Sequence, residues 1–409
     1  MRSPWSTTVP VLTRRRFLAA TAVTGAAAIG ATAIGWEEIA GSAGDLDPDA
    51  GVLVVVTLYG GNDGLNTVIP AGDDVYQRSR PELAYRSDEV LDLGDGLGFN
   101  PALRGLKGLY DDGSLAVVQG VGYPQPDHSH FRSMAIWQTA NPTSPNGAGW
   151  LGRWLDATSD GSAADPLRAL STDPVLPPLL VGDRYAGSTI AAGALELPKG
   201  PLGNAVAALA SPDLDDEDWR ARTAASIGHL ATLRRTTTAA MQRAGKDNPT
   251  GDLDRQLQLI AALIEARVPT RVYSASLGGF DTHADERRTQ ERLLGQLDTA
   301  LAPFITRLEA TDPGRQVVVM VHSEFGRRVK ANGSDGTDHG TAGPVLLAGT
   351  PVTGGLTGQT PSLTDLDGGD LRSHVDFRDL YATLTENVLG AAPDQIVGGH
   401  PGRFDNVLA

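Results

Sequence analysis

Apolar residues in this chain gather into short unbroken runs, set between longer stretches of amphipathic pattern. The runs at 52–58, 115–121, 271–277, 317–321 and 345–348 are bounded by polar or glycine-rich residues. Their length and lack of alternation predict strands covered on both faces, as in a parallel sheet. Between them, Asn100 and Pro101 have the residue types of an N-cap and first position for a helix through Tyr110. A second helix is expected from Ser129 to about Thr139. Others are expected over 215–242, 253–266, 285–308 and 376–389, the first opening on an acidic cluster suited to a helix amino end. Strands alternating with helices predict an α/β fold with a central, mostly parallel sheet flanked by helices. Residues 141–250, where Pro, Gly and Asp surround short apolar runs, read as an irregular or helical insertion or cap. No internal repeat and no phosphate-binding glycine loop interrupts the pattern.

Several runs end in residues with metal or nucleophile chemistry. The run at 317–321 gives way to His322-Ser323-Glu324-Phe325-Gly326, and fourteen residues after Glu324 come Asp338 and His339 in a glycine-rich loop. The run at 52–58 ends at Tyr59-Gly60-Gly61-Asn62-Asp63, and that at 271–277 at Gly279-Phe280-Asp281-Thr282-His283. Oxygen and nitrogen donors are thus delivered past strand ends, where open α/β sheets bind ligands. Such a donor set suits a divalent cation. The plainer alternative is a set of turn and capping residues. After the run at 115–121 come His128, Ser129, His130 and Arg132, with two of the eight histidines beside one serine. At a helix start, free backbone N–H groups can hold an anion or activate a hydroxyl. A capping serine between two exposed histidines is the plainer reading there.

Composition narrows the classes. The chain has 409 residues, room for one large α/β domain or two smaller ones. It has no Cys, which removes disulfides, thiolate metal sites and a cysteine nucleophile. The formal charge of −15 argues against nucleic acid as a partner. Arg14-Arg15-Arg16-Phe17-Leu18 precedes a weakly apolar stretch rich in Ala, Gly and Thr, the pattern of a twin-arginine export signal. Residues 1–43 are therefore expected to be a signal segment read by the twin-arginine machinery, and 44–409 the functional domain. The mature chain would work in the periplasm, at the cell surface or as a secreted protein, with no stable membrane span.

In order along the chain, YGGNDGLN, HSHFRSMAIWQT, GGFDTH, SEFGRRV, DHGTAGP and VDFRDLYATL resemble motifs of the alkaline phosphatase-like superfamily of metal-dependent hydrolases. They are most similar to its exported branch, the domain of unknown function 1501. The resemblance implies a largely parallel sheet with metals at its carboxyl edge. It implies Asp63, Asp281, His283, Glu324 and His339 as ligands of zinc, magnesium or calcium. It also implies Ser129 as nucleophile, with Arg132 or the flanking His128 and His130 neutralising charge on the transferred group; a third reading makes His128 and His130 metal ligands themselves, with no covalent step. Phe325 stands where the family commonly has His, and Asp281 and His283 are more closely spaced than usual. The activity implied is hydrolysis of phosphate or related esters on a small-molecule or polymer substrate. The alternative is a secreted binding or scaffold protein that has lost turnover.

Overall fold

A computed structural model describes residues 44–160, 165–190, 197–209, 218–243 and 249–409. The expected signal segment lies outside them, as does the start of the helix expected at 215. The five apolar runs form strands, and four short strands that the pattern did not predict join them. These are β1 (Val52–Tyr59), β2 (Leu115–Gly122), β3 (Ala169–Ser171), β4 (Ser188–Thr189), β5 (Val272–Gly278), β6 (Val317–Ser323), β7 (Gly343–Ala348), β8 (Gly355–Gly358) and β9 (Val375–Asp376). They make one sheet in the order β8-β2-β7-β6-β1-β5-β3-β4, with β9 also paired to β2. Pairings are parallel except those of β7, which runs antiparallel to β2 and β6.

Helices cover the sheet. They include α1 (Arg104–Asp111), α2 (His130–Thr139), α3 (Trp150–Thr158), α4 (Asp252–Glu265), α5 (Glu286–Glu309) and α6 (Phe377–Asn387). Because strand side chains alternate between faces, Leu53, Val55, Val318 and Met320 enter one core with Trp137, Trp150, Phe377 and Tyr381. Those four aromatic residues come from α2, α3 and α6 and stack closely, with Trp150 and Tyr381 ring centres 4.1 Å apart. Each large apolar side chain buried this way contributes about 1.5–3 kcal/mol. Elsewhere α4 packs against β5 and α5, and α5 against α1.

Two boundaries differ from expectation. The helix expected at Asn100 begins at Arg104, because Asn100 closes a turn instead: its side chain accepts from Ala102 N at 3.0 Å and its carbonyl from Leu103 N at 2.9 Å. Part of the stretch 141–250 extends the main sheet, since β3 pairs with β5 and β4 with β3. The chain divides into two units, one comprising residues 1–42 and 196–235, the other 43–195 and 236–409. In the smaller unit, the described residues form the helix Gly200–Ala208 and part of the helix Asp218–Arg243.

Candidate metal centre

Strand register brings the chemistry together. Leu58 pairs with Leu277 on one side and Ser323 on the other, so Gly60, Gly279 and Glu324 leave the sheet at one level. A two-stranded ribbon, Arg327–Ala331 with Thr337–His339, sets His339 opposite Arg327 and returns it to that edge. Helix α2 starts nearby and carries His130 in its first turn.

Asp281 Oδ1 is the focus of the arrangement. It lies 2.9 Å from His283 Nε2, 3.1 Å from His339 Nε2 and 3.3 Å from His130 Nε2. His130, Asp281 and His339 each offer one donor atom within 4.8 Å of the others, so together they can hold a metal ion. His283 Nε2 is also 3.0 Å from His339 Nε2.

The far sides of the rings fix what faces inward. His339 Nδ1 is 2.7 Å from the carbonyl oxygen of His128, an atom that only accepts, so Nδ1 carries the proton. Burial lowers the pKa of His339, which keeps the ring neutral and leaves a lone pair on Nε2. His130 Nδ1 is 2.8 Å from Glu324 Oε1, and its Nε2 is buried and lacks a hydrogen bond. Burial opposes ionisation of Asp281, but the hydrogen bond and charge of Arg327 outweigh it and hold the carboxyl well below the usual range. Imidazole lone pairs facing an ionised carboxylate repel it unless a cation lies among them. Rings held by a carboxylate or carbonyl on the opposite nitrogen are characteristic of metal ligands.

Other residues singled out in the sequence take different places. Glu324 is 1% exposed and accepts from Gly60 N at 2.9 Å, Ser323 Oγ at 3.0 Å and His130 Nδ1. It stands behind His130, outside the donor cluster. Asp63 is not brought to the centre either. It is fully buried in an ion pair with Arg80, at 2.5 Å and 3.0 Å, and accepts from Leu65 N. Burial opposes its ionisation, but the Arg80 charge prevails and lowers its pKa. The His128 ring pairs with Asp370 at 2.8 Å while its carbonyl holds His339. Ser129 caps α2, its oxygen 3.5 Å from Arg132 N, and Arg132 pairs with Asp127 at 3.2 Å. Phe325 packs its ring 4.9 Å from those of both His130 and His339.

Two contributors, each inside one of the family-like motifs, were not singled out from the sequence. Arg327, buried, donates to the carbonyls of Gly61, Phe280 and Thr337 at 2.7, 3.0 and 2.9 Å, to that of Gly60, and to Asp281 Oδ1 at 2.9 Å. Ser133, also buried, lies 2.6 Å from Tyr123 OH and donates to the Glu324 carbonyl at 2.8 Å. An arginine in a polar loop and a serine one turn into a helix look ordinary until the chain closes around them.

Sheet and site define an α/β protein with a candidate cation centre at the carboxyl edge of a mostly parallel sheet. Residues 113–407 match the family described as protein of unknown function DUF1501, and the chain belongs to that family. The matched region includes His130, Asp281 and His339 and leaves β1 and Asp63 outside. No curated protein matches the sequence. Among solved structures the chain is similar to a 2-O GAG sulfatase, at 10% identity and a TM-score of 0.28 over 74% of this chain and 65% of that one. It is also similar to a protein classed as a candidate sulfatase from Bacteroides thetaiotaomicron VPI-5482, at 10% identity and a TM-score of 0.33, covering 87% of this chain and 76% of that one. The chain therefore spans just under two thirds of the first structure's length. Likenesses this slight bear on neither substrate nor chemistry.

Proposed function

We propose that this protein is an exported hydrolase of phosphate or related esters that depends on a divalent cation held by His130, Asp281 and His339, with His283 as a further donor. The observation that carries this reading is the convergence of imidazole Nε2 atoms on Asp281 Oδ1, their opposite nitrogens anchored by Glu324 and the His128 carbonyl. A mixed imidazole and carboxylate set favours zinc over magnesium or calcium, which prefer oxygen alone. A bound cation of this kind supplies a Lewis acid that polarises an ester oxygen and acidifies water.

The chain's own residues do the rest. Glu324 fixes the tautomer of His130, and the His128 carbonyl fixes that of His339. Arg327 holds Asp281 ionised. In this reading water is the nucleophile and Ser129 caps the helix that presents His130. Export rests on the paired arginines at 14 and 15.

The test uses full-length mature protein, zinc titration and turnover of 4-nitrophenyl phosphate and 4-nitrophenyl sulfate. Asp281→Asn and His130→Ala should each weaken zinc binding by at least roughly tenfold and abolish turnover. Ser129→Ala should cost about 1 kcal/mol of stability and keep most of the activity. Loss of turnover in Ser129→Ala with zinc binding intact would restore the serine as nucleophile. Zinc bound stoichiometrically with no turnover of any ester would favour the binding-protein reading.

A further inference from the structure

A cavity of about 490 Å³ opens beside the centre. Glu324, Phe325 and His128 line it, and the segment 367–373 closes its far wall. It therefore adjoins the donor cluster through residues that also support that cluster. Such a space fits the part of a substrate beyond the scissile bond.

The charges in its wall are unevenly satisfied. Glu324 is taken up by His130, Gly60 and Ser323. Asp367 faces Arg372 at 3.9 Å, and Arg372 also bonds to Asp365 at 3.1 Å and to the Leu366 carbonyl at 3.2 Å. Asp370, whose side chain is 7% exposed, sits between the His128 ring at 2.8 Å and Arg328 Nε at 3.2 Å. Each carboxylate in the wall thus has a cationic or hydrogen-bonding partner. Arg328 is the exception on the positive side. Its Nε lies 3.2 Å from Asp370 Oδ1 as an ion pair without a hydrogen bond, its Nη2 makes only a 3.4 Å contact with the Gly368 carbonyl, and its Nη1 has no hydrogen bond among the described residues. Its side chain remains 40% exposed. An arginine held beside one carboxylate by charge, with its terminal nitrogens largely free, can receive a further carboxylate, phosphate or sulfate.

We propose that this cavity receives the organic part of the ester and that Arg328 is its specificity-determining residue, binding a second oxyanion distinct from the scissile group. The proposal rests on reading the neighbouring centre as hydrolytic, but the binding it predicts does not need turnover. Full-length mature protein is titrated calorimetrically with phenyl phosphate and with 4-carboxyphenyl phosphate, once after EDTA treatment and once with zinc. The wild type should bind the carboxylated probe at least roughly tenfold more tightly, from one added charge-assisted bidentate contact. Arg328→Gln should bind the two probes equally, and Arg328→Lys should recover part of the preference. Thermal melting confirms that each variant is folded. Equal binding of both probes by the wild type, or a preference that survives in Arg328→Gln, overturns the proposal. A preference that persists when zinc titration of the wild type shows no binding would sink the metal reading and leave the anion pocket standing.

Discussion

Single residues divide here into those that would touch a cation and those that hold them in place. Glu324 belongs to the second group, since its oxygens are used by backbone, serine and the protonated nitrogen of His130. Glu324→Gln keeps the shape and an acceptor but removes the charge that makes His130 a stronger donor. Zinc affinity should fall about 10–100-fold, the range for such supporting partners. Titration with a competing chelator measures it, and affinity unchanged from wild type would remove Glu324 from this role. Sequence spacing singled out Asp281 and His283, because they follow a strand end directly, whereas His130 opens a helix eight residues past β2 and was expected to neutralise charge. It could not separate ligand from support: Glu324 and Asp63 both follow a strand end as Asp281 does, and only their neighbours assign their roles.

At the level of elements, the loop after β1 acts as a spacer for the centre. Gly61 has φ +70°, and a Cβ there would meet Phe325 Cε2 at 2.2 Å. The Gly61 carbonyl accepts from Arg327 Nε at 2.7 Å, so the loop cannot swing aside without breaking that bond. Gly61→Ala must displace the Phe325 ring, which packs on both His130 and His339. The expected cost is about 1–3 kcal/mol, from the left-handed backbone and overpacking together. Zinc binding should weaken in parallel. Denaturant midpoints and titration read both, and a variant indistinguishable from wild type in each would show that the loop does not position the rings. The Gly-Gly-Asn-Asp turn was readable from the sequence, its contact with Phe325 was not. The two segments are more than 250 residues apart.

For the whole molecule, stability should depend on pH through a buried acidic pair. Burial first, and then the Asp63 carboxylate, push the Glu286 carboxyl up to about 9. The unfolded chain would release that proton near 4.5, so the folded state binds more protons between the two values. Its contribution is therefore complete below about pH 4.5 and is lost as pH rises through 9. Glu286→Gln cannot ionise and should flatten the decline in unfolding free energy between those limits. Denaturant curves across that range measure the slope, and equal slopes would show that Glu286 ionises freely in the fold. The proposed export also belongs to the whole chain: if it holds, Arg14→Lys with Arg15→Lys should leave folded precursor in the cytoplasm. Mature protein still found outside on cell fractionation would refute the address.

The sequence by itself determined the five long strands, most of the helices, the mostly parallel sheet and the donor-bearing strand ends. Unbroken β-branched runs have few other stable placements, and a parallel strand must end where its crossover begins. Tertiary structure decided which donors meet. His130 and His339 face Asp281 because a helix start and an antiparallel ribbon close over the sheet edge, while Arg80 holds Asp63 in the interior. Convergence of that kind depends on distances between segments remote in the chain, and those distances are set only when the core packs.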